Sequence, residues 1–212
     1  MQLEQIYTHI DHTVLKQTTT WAQVQKLCDE AIQGKAASVC IPPCYVAKAK
    51  EYTNGAMPIC TVIGFPNGYQ TTMVKLVETK EALANGADEI DMVINLCDVK
   101  NGEWDKVSHE IKALKHACGN RVLKVIVETC YLTKEEKVRL CQIVTEAKAD
   151  YIKTSTGFGS AGATVEDVIL FRKECGPDVK IKAAGGIRTV EDAENMLFAG
   201  ADRLGSSALL AR

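Results

Sequence analysis

Short apolar runs alternate along this chain with longer stretches in which apolar residues recur at helical spacing. The runs near 9–14, 37–41, 59–65, 89–95, 122–128, 151–155, 180–184 and 203–205 predict eight strands. The segments Thr72–Ala84, Glu103–Ala117, Lys134–Ala147 and Val165–Lys173 predict helices between them. A recurring phrase marks the joints: Ala84-Asn85-Gly86-Ala87-Asp88, Ala147-Lys148-Ala149-Asp150 and Ala199-Gly200-Ala201-Asp202 each end a helix and begin a strand. Where glycine occurs it supplies a left-handed helix cap, and the alanine lets the next strand pack closely. The Ala-Asp marks at 88, 150 and 202 leave room for two βα units each, at about 30 residues per unit. Regular alternation of this kind makes a parallel sheet. Eight strands in 212 residues reach the lower size limit of a closed barrel. The glycine fingerprint of an open dinucleotide-binding sheet does not follow the first strand. The expected fold is therefore α/β, a single (β/α)8 TIM barrel spanning 1–212 with no linker to divide it.

Alternation within each strand separates two faces. Ile90, Met92 and Ile94 form an apolar face suited to covering helices, so Glu89, Asp91, Val93 and Asn95 face the lumen. The same reading turns Tyr151, Lys153 and Ser155 inward opposite Ile152, and Lys182 and Ala184 inward opposite Ile181 and Ala183. Lys124, Ile126 and Glu128 take the inner face of their strand, and Asp11 and Thr13 take that of the first. A barrel interior is ordinarily apolar, so this many charges require mutual pairing or chemistry. Lys124 and Glu128 are expected to neutralise each other. Lys153 and Lys182 stand on adjacent strands, about 4.8 Å apart, near the ends where barrel active sites form. A buried amine beside a second cation loses its proton more readily and becomes a nucleophile that forms an imine with a carbonyl. Asp91 is placed to move protons, directly or through water. The competing reading is a structural set of ion pairs bridging the barrel.

Glycine turns after the late strands add an independent signal. Gly157-Phe158-Gly159, Gly185-Gly186-Ile187-Arg188 and Gly205-Ser206-Ser207 occupy the loops whose backbone amides bind phosphate in barrels. Thr189 reads as the cap of the following helix, aiming further amides at that site. Composition excludes other classes. A net charge of −2 gives no basic field for nucleic acid, and no apolar stretch approaches the ~20 residues of a membrane span. Nine cysteines, an odd number without a C-x-x-C pair, read as reduced, mostly packed thiols. The first residues lack a signal-peptide pattern, so the expected location is cytoplasmic. The four histidines lack ligand spacing, and no metal is expected.

Six ordered blocks resemble the deoxyribose-phosphate aldolases over nearly the whole chain. They are Ile10-Asp11-His12-Thr13, Val62-Ile63-Gly64-Phe65-Pro66, Glu89–Asn95, Lys124–Thr129, Tyr151–Phe158 and Lys182–Arg188. The resemblance implies a cofactor-free class I aldolase that reversibly cleaves 2-deoxy-D-ribose 5-phosphate into acetaldehyde and D-glyceraldehyde 3-phosphate. It implies Lys153 as the Schiff-base residue, Lys182 as the perturbing lysine and Asp91 as the proton-handling group. Asp11 and Thr156 join the substrate-supporting polar network, and Gly157, Gly185, Gly186, Arg188, Gly205, Ser206 and Ser207 surround the phosphate. A homodimer is the expected assembly, with the sugar phosphate and acetaldehyde as partners. Three departures stand out: Phe158 where some relatives carry lysine, Ala208 where some carry serine, and an end at Arg212 ahead of the family's usual last helix and tail. The shortened end sets the expectation of reduced activity. The alternatives are another Schiff-base sugar-phosphate lyase and a sugar-phosphate-binding barrel without catalysis.

Overall fold

The computed structural model describes residues 2–210, so the two final positions, where the sequence places its shortened end, lie outside the described residues. Eight parallel strands close on themselves in sequence order: β1 (Ile10–Thr13), β2 (Ser38–Ile41), β3 (Ile59–Ile63), β4 (Glu89–Val93), β5 (Val122–Ile126), β6 (Tyr151–Lys153), β7 (Lys180–Ala184) and β8 (Arg203–Ser206). β8 pairs back onto β1 through Asp11 and Gly205, which removes both sheet edges. Around them run α1 (Leu3–Tyr7), α2 (Trp21–Gly34), α3 (Val46–Thr53), α4 (Thr72–Ala84), α5 (Leu96–Lys100), α6 (Trp104–Cys118), α7 (Lys134–Glu146), α8 (Val165–Glu174) and α9 (Val190–Phe198). No described helix is long and apolar enough to cross a membrane.

Seven strands fall within the segments that alternation predicts, and β8 runs one residue past its segment, to Ser206. The outward residues Ile90, Met92, Ile152, Ile181 and Ala183 are fully buried in the layer between sheet and helices. α2 and α3 were not predicted as helices. The buried face of α2, Val24, Leu27, Cys28 and Ala31, has the helical period but few large side chains to advertise it. Its start is fixed by a capping box between Thr20 and Gln23. α5 is a second addition, and it corrects the assignment of Asn95 to the lumen. The Asn95 side chain accepts from the Cys97 amide and caps this short helix instead.

One buried ion pair lies in the outer layer rather than the lumen. Lys75 of α4 meets Glu110 of α6 at 2.6 Å and also donates to the carbonyl of Val93 at 2.8 Å. Glu110 accepts from the Asn95 amide, and Glu78 accepts from the Gly64 amide. Together they fasten the exit ends of β3 and β4 to α4 and α6. Burial pushes Lys75 down and Glu110 up, so each depends on the other to stay charged. Glu110→Ala, which strands the Lys75 ammonium, is expected to cost about 3 kcal/mol, read as a lower urea midpoint with an unchanged slope. The double change Lys75→Met with Glu110→Leu is expected to cost less, because it leaves no lone buried charge.

Candidate active site

Strand alternation carries charged side chains from most of the barrel into one lumen. Asp11, Asp91, Lys124 and Lys182 are all inaccessible to solvent, and Lys153 and Glu89 nearly so. Asp91 is the hub. Its Oδ2 accepts from Lys153 Nζ at 2.7 Å and from Lys182 Nζ at 2.6 Å. Its Oδ1 accepts from Lys124 Nζ at 2.9 Å and from Cys60 Sγ at 3.1 Å. Lys182 also pairs closely with Asp11, and Lys124 with Glu89. Asp11 accepts in addition from Arg203 at 2.5 Å and Ser38 at 2.7 Å. Arg203 reaches on to Glu89 at 3.3 Å.

The charges hold one another ionised. Burial alone raises the Asp91 carboxyl, but Lys124, Lys153 and Lys182 outweigh it and hold the group well below the carboxylate range. Asp11 follows the same logic: burial opposes ionisation, and Lys182, Lys124 and Arg203 overcome it. Burial pushes Lys182 down, yet Asp11 and Asp91 more than reverse this and keep it a permanent cation. Lys124 is likewise held up by Asp91, Cys60, Asp11 and Glu89 against its burial. The two lysines expected to repel each other are therefore bridged by a single carboxylate oxygen, with Lys182 fixed as the charged partner.

A cavity of about 390 Å³ opens over the C-terminal ends of the strands. Lys153, Thr156, Gly157, Gly185, Gly186, Arg188, Gly205, Ser206 and Ser207 all line it, together with Lys16 and Phe158. Of the lumen's ionised groups only Lys153 does so, with 4% of its side chain exposed. Asp91 and Lys182 sit beneath it. Asp11 departs from a substrate contact: it is fully buried, does not line the cavity, and commits its carboxylate to Lys182, Arg203 and Ser38. The expected Lys124–Glu128 pair is also absent. Glu128 takes a left-handed backbone (φ 54) and turns its carboxylate to the Thr156 amide and hydroxyl, while Lys124 goes to Asp91 and Glu89.

The glycine turns have distinct reasons. Gly185 lies at φ 84, and a Cβ there would run into the backbone of Gly162, so the two loops touch only without side chains. Ser206 spends its hydroxyl inside the protein: it donates to the carbonyl of Ile187 and accepts from the amide of Ala208. It thereby straps the β7 loop to the β8 turn, leaving Ser207 as the exposed hydroxyl. The start of α9 does not serve the cavity. Thr189 caps the amide of Asp192, and the Asp192 carboxylate takes the amides of Arg188 and Thr189. Phe158 stacks edge-on against Phe65 with ring centres 5.3 Å apart.

Three participants escaped the sequence reading. Lys16, in the loop after β1, lines the cavity, and among the described residues neither its amine nor the Arg188 guanidinium has an ion-pair partner. Its only signal was position after a strand end, without a glycine turn to mark it. Arg203 opens β8, and register sets it beside Lys182. Cys60 lies opposite Cys40 across β2 and β3 and looks in sequence like an ordinary packed thiol. The thiols of Cys40 and Cys60 converge on Asp91, and Cys60 also lies among Asp11 and Glu89. The Lys124 ammonium, 3.3 Å from Cys60 Sγ and 2.9 Å from Asp91, already supplies the cation that these donors would hold.

Comparison with known proteins gives a consistent result. The sequence profile of the DeoC/LacD family aldolases matches residues 6–211. A deoxyribose-phosphate aldolase of Clostridium botulinum (strain Alaska E43 / Type E3) is 58% identical over 98% of this chain and 94% of its own. One from Clostridioides difficile (strain 630) is 55% identical with the same coverage. The solved deoxyribose phosphate aldolase of Aeropyrum pernix superposes with a TM-score of 0.91 at 31% identity, covering 99% of this chain and 89% of that one.

The depressed Asp91 and Asp11 carboxyls make stability depend on pH. Their contribution is present above the ordinary aspartate value of 3.8 and is lost as pH falls toward their folded values. Asp91→Asn is therefore expected to unfold at clearly lower urea than the parent at pH 7, with the difference narrowing below about pH 4.

Proposed function

The chain belongs to the DeoC/LacD family of aldolases, and from that membership we propose that it is a class I, Schiff-base deoxyribose-phosphate aldolase. It reversibly cleaves 2-deoxy-D-ribose 5-phosphate to acetaldehyde and D-glyceraldehyde 3-phosphate. The observation that carries the residue assignment is the position of Lys153. It is the one titratable lumen group among the described residues that lines the cavity, and it faces glycine loops flanked by Lys16 and Arg188.

The Lys153 amine, once neutral, adds to the C1 aldehyde of the open-chain sugar and loses water to give an imine. The protonated imine draws electrons from the C2–C3 bond as the C3 hydroxyl gives up its proton. Glyceraldehyde 3-phosphate leaves, and the remaining two-carbon enamine takes a proton at C2 and is hydrolysed to acetaldehyde. Asp91 lies beneath Lys153 on the hydrogen bond that carries these protons, with water as the link to substrate. Lys182 stays cationic beside Lys153, and the Asp91 carboxylate bridges the two. At the far end, the amides of Gly185, Gly186, Gly205 and Ser207, with Lys16 and Arg188, receive the phosphate. Thr156 holds the Gly157 turn by accepting from the Phe158 amide while its own hydroxyl donates to Glu128. The nine cysteines are all free thiols, which suits a reducing cytoplasm. Exposed Tyr69, Met73 and Val77, spaced along one face of α4 and the loop before it, support the homodimer.

Borohydride trapping with acetaldehyde or the sugar phosphate tests the reading. A stoichiometric adduct on the Lys153 peptide is expected, together with loss of both adduct and turnover in Lys153→Ala. Turnover surviving in that variant would move the nucleophile elsewhere, and absence of any adduct from folded protein would favour a binding role without catalysis. Lys182→Leu is expected to fold and to slow turnover by about 10²-fold or more. Phe158→Lys, which restores a cation at the phosphate loops, is expected to lower KM for the phosphorylated sugar by about tenfold and leave unphosphorylated 2-deoxyribose unchanged.

A further inference from the structure

Glu89, Tyr151 and Arg203 are the first residues of β4, β6 and β8, so they close the N-terminal end of the barrel, opposite the cavity. Arg203 pairs with Asp11 and Glu89 and lies over the Tyr151 ring, with its guanidinium carbon 5.6 Å from the ring centre. Neither Arg203 nor Glu89 lines the cavity. Both are nonetheless joined to the nucleophile by unbroken ion pairs. Arg203 leads through Asp11, Lys182 and Asp91 to Lys153, and Glu89 leads through Lys124 and Asp91 to the same amine.

We propose that Arg203 and Glu89 are positioning residues that set, from the far end of the barrel, the pH at which Lys153 becomes a free amine. This role presupposes the Schiff-base chemistry proposed above for Lys153. The charge balance carries it. Within the ion-paired cluster, Asp11, Glu89 and Asp91 offset Lys124, Lys182 and Arg203, and Lys153 is the cation in excess. A dry, mutually paired set has no mobile counter-ions to absorb a change, so altering a charge at one end alters the cost of a proton at the other. Of the buried titratable groups, Asp91 bonds Lys153 directly and Cys40 interacts with it, Lys182, Lys124 and Cys60 reach it through Asp91, Asp11 reaches it through Lys182, and Glu128 is turned to Thr156. Arg203 and Glu89 are the members nearest solvent, at 15% and 9% side-chain exposure, and Lys180 stands outside them over the Tyr151 ring.

The sign follows for each. Without the Arg203 cation, Lys153 keeps its proton to higher pH, and without the Glu89 carboxylate it sheds the proton at lower pH. In Arg203→Gln the acid limb of kcat/KM is expected to move up by about one pH unit, and in Glu89→Gln down by a similar amount. Arg203→Lys keeps the charge and is expected to leave the limb in place. Competitive acetylation of Lys153 across the neutral-to-alkaline range, read by peptide mass, follows the same amine without relying on turnover. Opposite displacements of that labelling curve support the role. Curves that stay fixed or move in the same direction in folded Arg203→Gln and Glu89→Gln overturn it. If Arg203→Gln does not fold, the direction in Glu89→Gln decides. Borohydride trapping on the parent separates the two failures: a trapped imine with unmoved curves removes only this role, whereas no imine removes the Schiff-base reading while the labelling curves still report on Arg203 and Glu89.

Discussion

One carboxylate shared by three ammonium groups is the constraint on which this barrel's interior depends. A lone ion in a dry protein interior is costly, and each member of the lumen cluster is tolerable only because others surround it. Asp91 meets Lys124, Lys153 and Lys182 from three different strands, so the register of β4 through β7 is coupled to the charge pairing. A shift of one residue in any of those strands would turn its charge outward into the apolar layer that the helices cover. Apolar burial specifies the outer layer of the fold, and electrostatic satisfaction specifies the inner one. The same pairing pins Lys182 as a cation and leaves Lys153 at the surface of the cluster, where it lines the cavity.

Most of this architecture was legible because it rests on period-two alternation. Ile90, Met92 and Ile94 declare one face of β4, and Asp91 follows by elimination; Ile152 and Ile181 do the same for Lys153 and Lys182. Pairing partners were harder to read, since alternation gives the face and not the reach of a side chain. Lys124 and Glu128 share a strand face, yet the left-handed backbone at Glu128 carries its carboxylate over to Thr156. Arg203 was obscure because β8 is short and its inward positions include Gly205, so no apolar alternation frames it. α2 and α3 were missed for a related reason: alanine, cysteine and valine build their buried faces, and these small residues give a weak helical signal.

The loops over the cavity divide their labour differently from what glycine content suggests. Gly185 and Gly162 exist to let two backbones touch, and Ser206 acts as an internal strap. The first turn of α9 neutralises its own amides with Asp192. Two cations line the cavity beside them, Lys16 and Arg188, and they come from opposite ends of the sequence. Phe158, packed edge-on against Phe65, lines both this cavity and a neighbouring one of about 330 Å³, as do Leu15 and Lys16.

The pair between Asp11 and Arg203 joins residues 192 positions apart. β8 is the last strand to be synthesised, and until it inserts between β7 and β1 the growing chain carries Asp11 and Glu89 without their guanidinium. The pairs of Asp91 with Lys124, Lys153 and Lys182 need only β4 to β7, whereas the link from Asp11 to Arg203 waits for the closing of the last gap in the sheet.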